Sequence, residues 1–298
     1  MQALLDAIAA APDLPSGATR LFHGRGGRFP GCEHLALDAY PPVLLLTSFQ
    51  PLGEDALAAI GAALAARWPQ AAWVYQCRSA NAAQTRLMEG EVPEPHVVSE
   101  GGTRYLVHLL RGQNHGLFLD MAEGRRWVRD HVAPGSKVLN LFAYTCAFSV
   151  VALQARAAEV VNVDMASGAL AIGRGNHELN GVKAGAKFLA HDIFSSWGKL
   201  TRGGPYGLVV CDPPSFQKGS FIATKDYARV VRRLPALLAP GGRALLCLNA
   251  PELGPEFLRM LVAEGAPELA FIGRLPNPTA FDDVAPDRAL KVLAFQAP

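Results

Sequence analysis

Leu208-Val209-Val210-Cys211-Asp212-Pro213-Pro214-Ser215-Phe216, residues 208–216, decide the fold of this chain. A short apolar run that ends in an acid reads as a strand buried on both faces. Two consecutive prolines then stop its hydrogen-bond ladder and fix φ, which builds a rigid shelf just beyond the strand. Runs of the same kind recur at 138–142, 160–164, 187–190 and 244–248. Helical stretches separate them at 147–154, 166–179, 193–200 and 225–238. This alternation predicts right-handed βαβ units and a mostly parallel sheet covered on both faces. A last pair of runs, 271–275 and 290–295, is expected to form an antiparallel edge hairpin.

Upstream the rhythm differs. A helix is expected at 2–10, loop and edge-strand material at 20–29 and 38–42, a strand at 43–48, a helix at 54–68 and a strand at 72–77. Residues 80–100 are polar and hold Pro93 and Pro95, which predicts an exposed connection; 104–110 alternate again and lead into Arg111-Gly112-Gln113-Asn114-His115-Gly116. The expectation is an N-terminal α+β domain over 1–119 and an α/β domain over 120–298.

With 298 residues, half of them hydrophobic, the chain can bury a full core, which excludes a disordered or fibrous protein. A net charge of +2 excludes a nucleic-acid coat and leaves RNA to be met by a local patch. The five cysteines (Cys32, Cys77, Cys146, Cys211, Cys247) form no CxxC pair, so neither a disulfide framework nor a thiolate metal site is expected. No signal segment or membrane-spanning run is read, and the expected location is the cytoplasm.

In open α/β sheets ligands bind beyond the carboxyl ends of the strands, and the chemistry-bearing residues stand there. The first strand runs out through Asn140, Phe142, Ala143, Tyr144 and Thr145, the second through Asp164 and Met165, and the third leads to Asp192 and Ile193. A dinucleotide oxidoreductase would suit Asp164, but the first turn lacks the glycine triplet that lets a backbone approach a pyrophosphate. A nucleoside ligand without phosphates needs no such approach. Asp164 is placed to accept from both ribose hydroxyls and Asp192 from an adenine amino group, with Met165 and Ile193 sandwiching the ring. Asp212, Pro213 and Pro214 then form a shelf over the reactive end of the ligand, where proline carbonyls accept from a target base and Phe216 stacks on it.

These segments, with Gly112–Asp120, 138–148, Asn176-His177-Glu178-Leu179-Asn180-Gly181, Lys225-Asp226 and Gly241-Gly242, resemble the large-subunit ribosomal-RNA methyltransferases of the I and K types. The resemblance runs from about Arg20 to the C-terminus. It implies a class I methyltransferase: a Rossmann-like, seven-stranded, mostly parallel sheet with a smaller N-terminal α+β domain. It further implies S-adenosyl-L-methionine as cofactor, contacted at Phe142, Asp164, Asp192 and Asp212, with Gln113, Phe118 and Asp120 on a segment that folds over it. There are departures: the N-terminal RNA-binding PUA domain of many I-type members is not expected here, and their Asp-Gln-Arg is Asp120-Met121-Ala122, although Arg125 matches a later arginine.

Carbon-5 of a pyrimidine is a weak nucleophile and needs a cysteine to add at carbon-6. The cytosine-modifying I-type members carry that cysteine after the fifth strand, where this chain has Asn249, as in the guanine-modifying K-type pattern. The expected target is therefore a base nitrogen of large-subunit rRNA, guanine favoured, with Asn249 framing the pocket. A two-residue offset keeps Cys247 on the same strand face as Asn249, so a cysteine-dependent cytosine enzyme stays open, as does a small-molecule or protein methyltransferase on the same scaffold. No metal is expected, His115 reads as a loop hydrogen-bonder or a neighbour of the cofactor, and the chain is expected to be a monomer or homodimer. The basic groups Arg20, His23, Arg25, Arg28 and Arg229, Arg232, Arg233 read as solvated faces or phosphate contacts.

Overall fold

The computed structural model describes residues 1–79, 82–214, 216–217 and 221–298; Ser215 and the side chain of Phe216 lie outside what is described. The chain divides into two compact units, Met1–Asp120 with Pro278–Ala285, and Met121–Asn277 with Pro286–Pro298.

The first unit holds α1 (Gln2–Ala10), β1 (Thr19–His23), β2 (Leu35–Tyr40), β3 (Val43–Ser48), α2 (Glu54–Arg67), β4 (Ala72–Ser79) and β5 (Ala82–Glu89), then a hairpin of β6 (His96–Glu100) and β7 (Thr103–Val107). Strands β1 to β5 form a five-stranded sheet in chain order, parallel only where α2 crosses from β3 to β4. One sheet face presents Leu35, Leu37, Leu44, Leu46, Trp73 and Tyr75 to Leu4 and Ile8 of α1 and to Leu57, Ile60 and Leu64 of α2. Two expectations are corrected here. Residues 80–100 are not a plain connection, since β5 and β6 fall within them. Strand β5 is an edge strand, and an edge needs no apolar run, so its polar composition misleads. Residues 38–40, expected as loop and edge-strand material, lie in an inner strand: β2 sits between β1 and β3 and all six of its residues are buried, Asp38 included.

The second unit opens with α3 (Ala122–His131) and continues as β8 (Lys137–Leu141), α4 (Ala147–Gln154), β9 (Glu159–Asp164), α5 (Ser167–Leu179), β10 (Ala186–Ala190), α6 (Trp197–Gly203) and β11 (Tyr206–Cys211). The two-residue strands β12 (Phe216–Gln217) and β13 (Phe221–Ile222) follow, then α7 (Ala223–Val231), α8 (Leu234–Leu237), β14 (Leu238–Leu248), α9 (Pro255–Gly265), β15 (Ala270–Leu275) and β16 (Lys291–Gln296). Seven strands pair in the order β10-β9-β8-β11-β14-β16-β15. The first five are parallel and the last two antiparallel. The expected Rossmann-like seven-stranded sheet is therefore present.

Period-two alternation sends successive side chains to opposite faces. Leu139, Leu141, Val209, Cys211, Leu246 and Leu248 pack against α6 to α9 through Trp197, Tyr227, Val230, Leu234 and Leu258. Val138, Val160, Leu208, Val210, Leu245 and Cys247 pack against α3 and α4 through Val128, Phe148, Val151 and Ala152. The sheet is thus wound on both sides. Local boundaries shift from the expected ones: the helix expected at 193–200 begins only at Trp197, and that expected at 225–238 splits before Pro235. Helix α9 was not read, although Gly254 at the N-cap, Pro255 at the first turn and Glu256 after it are a start signal. The terminal pair is antiparallel, but β16 inserts between β14 and β15, so of that pair β15 alone lies at a sheet edge. Pro278–Ala285, which the sequence assigns to the second domain, packs with the first unit: Phe281 lies 5.2 Å from the His23 ring and Asp282 pairs with Arg28 at 2.8 Å.

Candidate cofactor and substrate site

Chain order runs outward from β8 through β9 to β10 on one side and from β11 to β14 on the other, so the switch point lies between β8 and β11. Leu141 at the end of β8 registers with Cys211 of β11 and with Val163 of β9. The loop leaving β8 is strained: Phe142, Tyr144 and Cys146 have φ of 56°, 46° and 61°. Left-handed backbone costs a bulky L-residue on the order of 1–2 kcal/mol, and it persists only where surroundings over-determine it. Here they do. Ala143 N–H donates to Val163 O at 3.0 Å, Cys146 N–H to Ala143 O at 2.7 Å, and Asn176 Nδ2 to Thr145 O at 2.9 Å. Helix α5 comes so close that a Cβ on Gly173 would stand 2.6 Å from Cys146 Sγ, and only glycine fits.

Asp164 joins this loop to α5. Its Oδ2 accepts from the Tyr144 amide and its Oδ1 from the Ala166 amide, each at 2.8 Å. Two amides fix the carboxylate plane and leave each oxygen a lone pair, the arrangement a vicinal ribose diol requires. Met165 beside it is 56 % exposed, so its side chain offers an apolar face. A nucleoside without phosphates fits these residues.

Asp192 has one oxygen engaged by the Phe194 amide at 2.9 Å, while its carbonyl accepts from Ser195 and Ser196. Ile193 does not share the exposure of Met165: at 3 % it belongs to the core below the sheet, so the expected pairing of the two about a ring is not present in this side-chain arrangement. Asn140 also turns inward. Its Nδ2 donates to Asn162 Oδ1 at 2.9 Å, Asn162 Nδ2 to Ser149 Oγ at 3.0 Å, and Ser149 Oγ lies 2.8 Å from His177 Nε2. The Gly173 carbonyl, 2.7 Å from His177 Nδ1, fixes the proton there, so Ser149 donates to Nε2. Burial lowers the His177 pKa and keeps it neutral. Thr145, 1 % exposed, and Ala143, 6 %, meet this interior and present little beyond backbone.

Sequence reasoning missed Phe221. Fully buried, it meets Phe142 edge-on at 5.2 Å, Tyr227 at 5.7 Å and Phe194 at 6.5 Å. One ring thus ties together the segments after β8, β10 and β11. Arg229, read as a phosphate candidate, lies 3.9 Å over Phe194 and pairs with Asp226 at 3.0 Å.

At the other side of the switch point, Asp212 and Pro214 are half-buried and Pro213 is buried. Asn249, exposed, leaves the end of β14. The buried Tyr227 hydroxyl reaches both strands, donating to Cys247 O at 2.8 Å and lying 3.4 Å from Cys211 O. Lys291 was also not read. Its buried Nζ donates to Ala250 O at 2.7 Å, which anchors the backbone next to Asn249; burial first, then Arg274, lowers its pKa to about 8. Cys247 is 0 % exposed, and burial raises the Cys146 and Cys211 thiols, with Asp164 and Asp212 adding to it.

Gln113, Phe118 and Asp120 belong to the first unit. Gln113 is exposed and Phe118 is 43 % exposed. The loop before them closes through His108 N–H to His115 O at 2.9 Å and His115 Nδ1 to His108 O at 2.8 Å, and Gln76 Nε2 donates to Gly112 O at 2.9 Å. His115 is a loop hydrogen-bonder; burial lowers its pKa, and its buried Nε2 has no hydrogen-bond partner among the described residues. Among the described residues there is no cluster of metal-ligating side chains and no helix long and apolar enough to cross a membrane.

A model of the S-adenosylmethionine-dependent methyltransferase family matches residues 19–296. A protein of Aeromonas salmonicida named ribosomal RNA large subunit methyltransferase I is 34 % identical over 189 residues, 61 % of this chain and 48 % of that protein. One of the same name from Erwinia tasmaniensis is 29 % identical over 282 residues, 89 % of this chain and 68 % of that one. The chain thus matches about half the length of the Aeromonas relative. A solved structure described as a methyltransferase complexed with SAH superimposes with a TM-score of 0.88 at 25 % identity, covering 99 % of this chain and 81 % of that chain.

Proposed function

Because the chain belongs to the S-adenosylmethionine-dependent methyltransferase family, we propose that it methylates a nucleobase nitrogen, guanine in the first place, of large-subunit ribosomal RNA. The observation that carries the reading is the pairing of Asp212-Pro213-Pro214 with an exposed Asn249 at the ends of adjacent strands β11 and β14. The cofactor supplies an electrophilic methyl group on sulfur. Asp164 holds a ribose through its two remaining lone pairs, and Met165 covers an apolar ring face. The protein's further task is to place a nucleophile in line, since holding two reactants in attack geometry supplies much of the rate. A base turned out of its stack would meet the carbonyls of Asp212 and Pro213 as acceptors for its exocyclic donors, with Asn249 offering a donor and an acceptor.

A ring nitrogen carries its own lone pair and needs no covalent help. The described thiols agree with that chemistry: Cys247 is buried in the apolar layer beneath α3 and α4, and Cys146 and Cys211 are held as thiols by burial. The rRNA part of the reading is supported by what the Aeromonas and Erwinia relatives are named. Mass mapping of rRNA nucleosides from cells with and without the gene is the test. Loss of one methylated guanosine is expected; an unchanged map rejects rRNA as substrate and leaves a small molecule or protein as target.

A further inference from the structure

On the first unit's five-stranded sheet, residues that alternate with the apolar layer under α1 and α2 face the other way; Val43, Leu45 and Val74 bury the middle of that face, and arginines stand toward its rim. Arg20 opposes Asp38 in the β1–β2 register, and its Nε and Nη2 donate to the two carboxylate oxygens at 2.7 and 3.0 Å. Arg78 stands on the same face beside Gln76, to which its Nε donates at 2.5 Å. Arg25, in the turn after β1, is exposed and lies 4.1 Å over the Phe49 ring, and Phe49 follows Ser48, whose register partner Cys77 precedes Arg78, so both arginines stand at the same end of the sheet. Only Arg20 has a carboxylate partner of the three; Arg25 and Arg78 make no ion pair among the described residues.

The three charges act on one another. Burial lowers the pKa of Arg25 and Arg20 adds to it, against the pull of Asp120. Burial likewise lowers that of Arg78, and Arg25 and Arg20 add to it, against Tyr40 and Asp38. Two partly desolvated guanidiniums that repel each other are stabilised by an oxyanion, and their planar forks match its paired oxygens.

We propose that Arg25 and Arg78 grip a backbone phosphate of the RNA substrate, a role that rests on the RNA reading above. A phosphodiester brings negative charge alone. A zwitterion's carboxylate would arrive with an ammonium that Arg25 and Arg78 repel. Arg20, neutralised by Asp38, positions the turn that carries Arg25 rather than binding the anion itself.

The test uses the full chain and protein-free large-subunit rRNA, with affinity measured by filter binding between about 50 and 200 mM salt, the range over which phosphate contacts reveal themselves. Arg25→Gln and Arg78→Gln should each weaken binding several-fold and lower the slope of log affinity against log salt by about 0.7 to 0.9, the value of one phosphate contact. Calorimetry with SAH should give the same affinity for both variants as for the unaltered chain. Arg25→Lys and Arg78→Lys, which keep the charge and serve as folding controls, should keep the slope. Three results overturn the proposal: slopes unchanged by the glutamine variants, slopes lowered equally by lysine and glutamine, or SAH affinity lost while the slopes stay. The methyl-group map judges the RNA reading separately, so a methylated rRNA with unchanged slopes rejects the phosphate grip alone.

Discussion

The Tyr144 amide donates to Asp164 Oδ2 at 2.8 Å, fastening the left-handed loop after β8 to the end of β9. One contact therefore both shapes the loop and aims the carboxylate. Asp164→Ala removes both, and SAH affinity by calorimetry is expected to fall at least about a hundredfold, the worth of one or two hydrogen bonds to a charged group. Asp164→Asn keeps one carbonyl acceptor and should fall between. Unaltered binding by the alanine variant removes Asp164 from the cofactor site.

Tyr227→Phe deletes the hydroxyl that reaches the backbone of both β11 and β14 ahead of Asp212 and Asn249. A buried carbonyl loses a donor, at about 1–2 kcal/mol, which lowers Tm by several degrees. The methyl-transfer kcat should fall while SAH affinity holds, because the cofactor-side residues Tyr144 and Asp164 are untouched. A parallel loss of SAH affinity in calorimetry would mean that Tyr227 supports the whole sheet and not the target side.

Cys247→Ala is expected to keep methyl transfer, at a stability cost of about 1–2 kcal/mol for a trimmed buried side chain. The measurement is methyl incorporation into rRNA, with 5-fluorocytidine-substituted RNA as a trap for a covalent adduct. Loss of transfer together with an adduct in the unaltered protein would establish cysteine-dependent carbon methylation instead.

His23 gives a pH dependence. Burial, then Arg20 and Arg25, lowers its pKa from 6.5 to about 4, so the folded state takes up its proton later than the unfolded chain does. Between those values the unfolded chain binds more protons, and stability falls as pH drops through that window. His115 and His177, also lowered, act in the same direction. His23→Gln keeps an acceptor for Arg20 and carries no proton, so its Tm should fall less than that of the unaltered protein between about pH 7 and 4. Superimposable Tm profiles would show that His23 does not contribute.

How far the sequence reaches is clearest at the strand ends. Apolar runs of strand length, each followed by an acid or a proline, put Asp164, Asp192 and Asp212 at the carboxyl ends of β9, β10 and β11, because run length and chain-breaking residues are local properties. The alternation of strands and helices likewise determined the doubly wound sheet. Where each side chain points was not local. Asn140 and Ile193 stand beside those acids in sequence, yet one enters a buried amide chain with Asn162 and the other the core, since the strand's phase and the helices over each face decide which side is inside. Phe221 and Lys291 became site-supporting residues only when loops distant in sequence met around them, and β16 took its place between β14 and β15 through long-range pairing. The sequence by itself determined the order of strands along the chain and the acids that end them; tertiary structure decided register, facing and which unit holds Pro278–Ala285, because those depend on contacts between residues that no local pattern links.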